Sequence, residues 1–303
     1  MLKNITLLTL TCILFSFSTS YGQGCSDAGF CTLNGIQGAD DNHSIAKNSF
    51  SIGTAYGFAD HGISVNTPFF SYNRSLGEKL SFNTRITSIS QKSDSLKNSG
   101  LSDLFITTNY QASSKIGVTA AIKLPLSDGN ELLSNDRSLP LNFQPSLGTT
   151  DLIAGMAVSL KNIQLNFAIQ QPITQTKNTF LSDVYDSTYY LSDFQSTNLL
   201  DRKGDVLIRG TYKWQLNEKI DFSSSLLSIY HLGKDSFINE NNVKQTIEGS
   251  DGLTINLNLF FDYELSDSSN IHLSFASPLI VREIRPDGLT RSFISVLSYT
   301  YSF

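Results

Sequence analysis

Ser292-Phe293-Ile294-Ser295-Val296-Leu297-Ser298-Tyr299-Thr300-Tyr301-Ser302-Phe303 is the stretch whose reading decides the fold. Phe293, Leu297, Tyr299, Tyr301 and Phe303 fall on one face at period two. Ser292, Ser298, Thr300 and Ser302 share the other face with Ile294 and Val296. Alternation at period two is a strand signal. A water-facing strand has little reason to end on exposed aromatics. A lipid-facing strand whose lower edge lies in an aromatic girdle accounts for both the alternation and the ending.

The other end is consistent with export. Lys3 supplies a positive charge, residues 5–17 form a short apolar run, and Ser20-Tyr21-Gly22 place small residues three and one positions before Gln23. This predicts a signal peptide over residues 1–22, cleaved before Gln23, because the run is too short and wrongly flanked for a spanning helix. A lipoprotein anchored through Cys25 is the alternative. That signal wants Leu three positions earlier, where Gly22 stands.

Charged residues make up only 16% of the chain, well below a soluble domain's roughly 25%, so a solvated globular surface is a poor fit. Beyond the leader no apolar run reaches the length of about 18 residues that a spanning helix needs. A barrel with alternating faces suits both facts. The formal charge of -5 argues against nucleic acid as a partner. Cys25 and Cys31 remain after cleavage, and in an oxidising compartment a disulfide between them is expected. Two thiols without a nearby His make an incomplete metal site, so neither metal nor cofactor is expected.

Five hairpins repeat along the chain, each a strand, a short polar turn and an alternating strand. They pair 66–76 with 80–89, 101–112 with 116–124, 151–160 with 163–173, 205–215 with 220–232 and 253–265 with 271–282. With 50–58 in front and 290–303 behind, about twelve strands are predicted. The fold class is all-β: a transmembrane, antiparallel, up-and-down β-barrel of the outer-membrane type over residues 49–303, preceded by a short segment over 23–48. Turns within hairpins are short, whereas the connections at 91–100, 127–148, 174–204 and 233–252 are mostly longer. Such barrels keep short turns in the periplasm and long loops outside, which orients the chain and leaves Phe303 at the periplasmic rim. Tyr110, Tyr212, Trp214, Tyr263 and Tyr301 then gather near the periplasmic ends as a girdle. The strand around Pro68 defeats simple alternation of Val65, Phe69, Phe70 and Tyr72, and a bulge is expected there.

The last strand, with Tyr299, Tyr301 and Phe303, resembles the C-terminal signal that outer-membrane barrels present to the barrel assembly machinery. That machinery and periplasmic chaperones are therefore expected partners, and the bacterial outer membrane the expected location. Gly100-Leu101-Ser102-Asp103-Leu104, Gly148-Thr149-Thr150-Asp151-Leu152 and the shorter Gly204-Asp205-Val206 open downward strands. Upward strands end on Lys123-Leu124-Pro125-Leu126 and Gln171-Pro172-Ile173. These motifs resemble the outer-membrane channels grouped as the MetA pathway of phenol degradation family, over about two thirds of the mature chain. The resemblance implies passive or facilitated uptake of small solutes, aromatic ones among them. The segment with Cys25 and Cys31 is not part of that pattern.

Among candidate sites, Arg85, Lys123, Arg209, Lys213, Asp262 and Glu264, with Asp221 and Arg282, are expected to line the lumen, either as charge rings that select solutes or as cross-strand pairs such as Lys213 with Asp221. Tyr185, Tyr189, Tyr190 and Phe194 crowd one outer loop, where aromatics either bind a ring-shaped solute, fold inward as a constriction or pack on one another. His272 and Ser274 face the same way and raise the possibility of an outer-membrane lipid hydrolase. They follow a periplasmic turn, far from the outer leaflet, and register would give His272 the plain partner Glu264. His43, His61 and His231 are scattered, although His61 and His231 share the outer rim. The reading is thus a narrow, non-enzymatic channel for small solutes in the lipid bilayer. A plugged barrel with a structural or surface-binding role is the alternative, and a lipid hydrolase comes third.

Overall fold

The computed structural model describes residues 47–288 and 291–303; the signal peptide, the Cys25 and Cys31 pair and His43 lie outside the described residues. Twelve antiparallel strands close into a barrel, and a two-stranded ribbon stands apart from it in a loop. The barrel strands are β1 (Asn48–Ala59), β2 (Ser64–Ser75), β3 (Leu80–Lys92), β4 (Lys97–Ser113), β5 (Ile116–Pro125), β6 (Asp151–Leu160), β7 (Ile163–Pro172), β8 (Asp205–Gln215), β9 (Ile220–His231), β12 (Gly252–Ser266), β13 (Ser269–Ile280) and β14 (Arg291–Ser302). The ribbon pairs β10 (Ser236–Ile238) with β11 (Lys244–Thr246). Each strand pairs with its sequence neighbour, β9 with β12 across the ribbon, and β14 returns to β1.

Closure is sealed at the short-turn rim, where Asn48 N–H donates to Phe303 O at 3.1 Å and Phe303 N–H to Asn48 O at 2.8 Å. A closed sheet leaves no unpaired edge, which is what allows strands to cross hydrocarbon. The outward face is predominantly apolar: Ile52, Phe70, Leu152, Ile169, Ile208, Leu226, Leu257 and Leu297 are all exposed. Around the short-turn rim, Tyr212, Trp214, Phe222 and Phe261 stand ring to ring at 4.4–5.2 Å, and Phe50, Tyr301 and Phe303 form a second group. Tyr212, Trp214 and Tyr301 of the expected girdle belong to these groups, and Tyr110 and Tyr263 stand exposed near the same rim, the level where amphipathic rings meet headgroups.

The barrel departs from the sequence reading at four points. Pairing of β1 with β2 runs without a shift through Pro68, so no bulge forms there. Val65 and Phe69 are simply buried inside while Phe70 stays exposed, and two apolar faces had masked an intact period. Residues 91–100 are not a long loop: β3 and β4 extend as a polar hairpin beyond the apolar belt, turning at Ser93, whose N–H donates to Leu96 O at 2.8 Å. His272 stands opposite Asp262, not Glu264, because the turn between β12 and β13 is tighter than the sequence suggested and Glu264 meets Asn270. Lys213 stands opposite Ser223, and Asp221 faces Gln215, so the supposed pair is diagonal.

Candidate functional site

The long connections do not stand free. Loop 173–204 leaves β7 and crosses the mouth to the opposite wall, where Phe180, Leu191 and Phe194 pack with Ile63, with Val65 of β2 and with Ile89 of β3. Leu139 and Phe143 of loop 126–150 complete that cluster. A second cluster joins Leu141 and Leu147 to Leu200, Phe237 and Ile247, so three loops share one small core. Burying each large apolar side chain contributes roughly 1.5–3 kcal/mol, which holds the loops across the opening.

Buried amides fix the loops to one another. Asn178 Nδ2 donates to Gly129 O, Ser138 Oγ and Leu139 O at 2.9–3.0 Å. Gln91, at the top of β3, donates to Gln144 O at 2.8 Å. Gly148 is required where its loop doubles back: its φ is +70°, and a Cβ there would lie 2.1 Å from Asp128 O.

Of the loop aromatics singled out by the sequence, Phe194 is buried, Tyr190 packs at its edge with centroids 5.1 Å apart, and Tyr185 stacks on Phe180 and Tyr189. His61 stacks on Phe194 at 4.2 Å, and the Tyr190 hydroxyl donates to His61 O at 3.0 Å. Phe194 and Tyr190 are therefore packed into a lid, with Tyr185 half-buried beside them and Tyr189 exposed on its surface. Among the described residues no group of three or more metal-ligating side chains occurs, and His61 and His231 make separate contacts.

Beneath the lid lies a buried charge network at the outer ends of the strands. Arg202 (2% exposed) reaches Asp287 at 2.9 Å, Asp151 at 3.4 Å and Asp205. Lys123 (0% exposed) pairs with Asp151 at 3.1 Å and donates to Thr149 Oγ1. His231 meets Asp205 through Nδ1 at 2.7 Å and Asp235 through Nε2 at 2.9 Å. A carboxylate on each ring nitrogen calls for both N–H groups to donate, the protonated form of the ring. Arg282 reaches Asp287 at 2.5 Å and Ser250 O at 2.6 Å, and Arg285 stands 3.7 Å from Asp287. Asp103 accepts from Ser146 at 2.7 Å and Ser102 at 3.1 Å. The carboxylates of Asp151, Asp205, Asp235 and Asp287 are paired with Lys123, Arg202, Arg282, Arg285 and protonated His231, as buried charge demands. Burial alone would raise the Asp287 carboxyl, but Arg282, Arg285 and Arg202 beside it hold it well below the usual carboxylate range. A small cavity within this network is lined by Asp205, Ile229, His231, Gly252, Thr254, Arg282 and Arg285.

The lumen candidates thus separate by depth. Lys123 and Arg282 belong to the outer network, with Arg282 beyond the end of β13. Arg85 and Arg209 stand on β3 and β8 at mid-height. Lys213, Asp221, Asp262 and Glu264 lie toward the short-turn rim, where Asp262 (side chain 39% exposed) pairs with His272 at 2.7 Å. At mid-height the inward Gly53 leaves room for Phe69, since a Cβ there would lie 2.6 Å from the Phe69 ring. The Arg85 guanidinium lies 3.6 Å over that ring, a cation–π contact that fixes its position. The centre of the outer network, Arg202 with Asp205, Asp235, His231 and Asp287, was missed in the sequence. A signal did exist: Asp103, Asp151 and Asp205 each stand just before a Leu or Val in the three glycine-led motifs, toward the outer side of β4, β6 and β8.

No family model matches the sequence, and no curated protein matches it. Among solved structures, an outer membrane channel from Pseudomonas putida F1 superimposes with a TM-score of 0.56 at 13% identity, covering 87% of this chain and 98% of that one. Looser likenesses are to the monoaromatic hydrocarbon channel CymD (TM-score 0.47, 11% identity, 94% and 95% covered) and the Pseudomonas putida toluene transporter TodX (0.46, 13%, 94% and 97%). The fold and the closed mouth define the class: a twelve-stranded barrel of the outer-membrane type whose outer opening is lidded by its own loops.

Proposed function

We propose that the protein is a narrow channel for small solutes in the bacterial outer membrane, closed at its outer mouth by a lid that moves to admit them. The observation that carries this reading is the lid itself. It is made of the barrel's own loops, locked by a polar, charge-balanced network over a lumen whose lower half bears Lys213, Asp221, Asp262 and His272. Ion pairs of this kind are a way to make a closed state that differs from an open one by a few kcal/mol. Likeness in fold to an outer membrane channel supports the same reading.

The proposal includes a cleaved signal peptide, insertion by the barrel assembly machinery through the final strand, and a disulfide between Cys25 and Cys31. No enzymatic role is proposed. His272 is hydrogen-bonded to Asp262 at 2.7 Å near the short-turn rim, a plain polar pair. A second reading, a permanently plugged structural barrel, is favoured by the dense burial of Arg202, Asp151 and Asp287. Liposome swelling with the refolded protein separates the two. Entry of small sugars or amino acids supports the channel; impermeability in the native chain and in a chain with a loosened lid supports the plug.

A further inference from the structure

The inward charges are sorted by height in a way that pairing alone does not explain. Inward carboxylates of the barrel strands occur at the outer ends (Asp103, Asp151, Asp205) and toward the short-turn rim (Asp221, Asp262, Glu264). Between them stand two arginines, Arg85 on β3 and Arg209 on β8, five strands apart around a ring of twelve and so on nearly opposing walls. Among the described residues no carboxylate pairs with Arg209, and its buried Nε atom has no hydrogen-bond partner. Burying a polar donor without an acceptor is costly, so a group of this kind is held for something else to satisfy.

On one side each arginine adjoins apolar residues, while on the other Arg209 faces Asn166 of β7 and Arg85 faces Ser71 of β2. Arg209 stands directly across from Leu227 on β9 and two residues below Leu207, while Arg85 stands directly across from Phe105 on β4. Phe105, Leu207 and Leu227 are members of one buried inward cluster, an unusual lining for a water-filled pore. Two cations beside an apolar wall, with every carboxylate displaced to the rims, make an amphipathic site of one sign.

From this we infer that the mid-lumen is a subsite for a small organic anion with an apolar body, its anionic group on the Arg209 guanidinium and its body against Phe105, Leu207 and Leu227. The inference rests on the channel reading and names the solute class of that channel. Arg85 shares the positive field but is already stacked on Phe69, so Arg209 is the group that meets the anion.

Planar-bilayer recordings of the refolded chain in potassium chloride test the inference, with benzenesulfonate, methanesulfonate and phenyltrimethylammonium as probes of permanent charge. Benzenesulfonate is expected to block the chloride-carried current saturably, at least tenfold more strongly than methanesulfonate, which lacks the apolar body, or phenyltrimethylammonium, which has the wrong sign. Arg209→Gln should weaken that block at least tenfold, and Arg209→Lys should retain part of it. Equal block by benzenesulfonate and phenyltrimethylammonium in the native chain overturns the inference alone, as does undiminished block in Arg209→Gln. Absence of any potassium chloride current in both the native chain and Arg202→Met overturns the channel reading and this inference with it.

Discussion

Replacing Arg202 by Met tests whether the ion-pair network holds the lid. Met keeps most of the volume and removes the guanidinium that reaches Asp287 at 2.9 Å, Asp151 at 3.4 Å and Asp205. Each of those carboxylates keeps a second partner: Lys123 for Asp151 at 3.1 Å, His231 for Asp205 at 2.7 Å and Arg282 for Asp287 at 2.5 Å. The loss should therefore lie near the lower end of the range for breaking a buried pair, about 3 kcal/mol. At about 1.4 kcal/mol per decade that is roughly a hundredfold rise in the fraction of time the lid is open. The barrel wall, whose strand pairing does not involve Arg202, should be unaffected. Amide hydrogen exchange in nanodiscs reads this directly, as about hundredfold faster exchange in residues 195–205 and unchanged exchange at the centres of β8 and β9. Arg202→Lys should fall between, because it keeps the charge and loses the planar fork. Exchange of the loop within twofold of the native chain in Arg202→Met would refute the idea that this network is the latch.

Acid should act on the same latch through Asp287, whose carboxyl is held below the usual range by the arginines around it. A depressed folded-state value contributes stability that is present above the ordinary carboxylate pKa of about 3.9 and lost as pH falls through the lowered value. Loop exchange in residues 195–205 should thus hold from neutral pH to about 4 and rise only in stronger acid; a rise already at about pH 6 would contradict the assignment. A cysteine placed at Tyr189, which is exposed, should react with an impermeant maleimide on intact cells, and one at Asn217 should react only after permeabilisation. Replacing Tyr301 and Phe303 by Ser removes the ring group with Phe50 and should lower the amount of heat-modifiable barrel in the membrane, which gel shift on isolated membranes measures.

The barrel was legible because its two solvents write on alternate residues. Ile163, Phe167 and Ile169 face lipid, and Gln164, Asn166 and Gln170 face inward, so period two survives in each strand of this kind. Register was less legible, since it depends on turn length. One tight turn moved the partner of His272 from Glu264 to Asp262, a step of two residues that leaves the faces unchanged. The lid was not legible. Arg202 and Asp287 are 85 residues apart, and nothing local to either announces the other. Only the recurrence of an aspartate in the glycine-led motifs hinted that Asp103, Asp151 and Asp205 share a level. The loop aromatics showed which residues cluster, but not that Phe194 crosses the mouth to reach Ile63 and Val65.

Single-channel recording of the native chain beside Arg202→Met tests the central claim most directly. A lidded channel should give brief, infrequent openings in the native chain, and the variant should be open far more often at the same unitary conductance, because the pore below the lid is untouched. Silence from both chains, with each shown to be folded by its heat-modifiable migration, would contradict the account and leave a plugged barrel in its place.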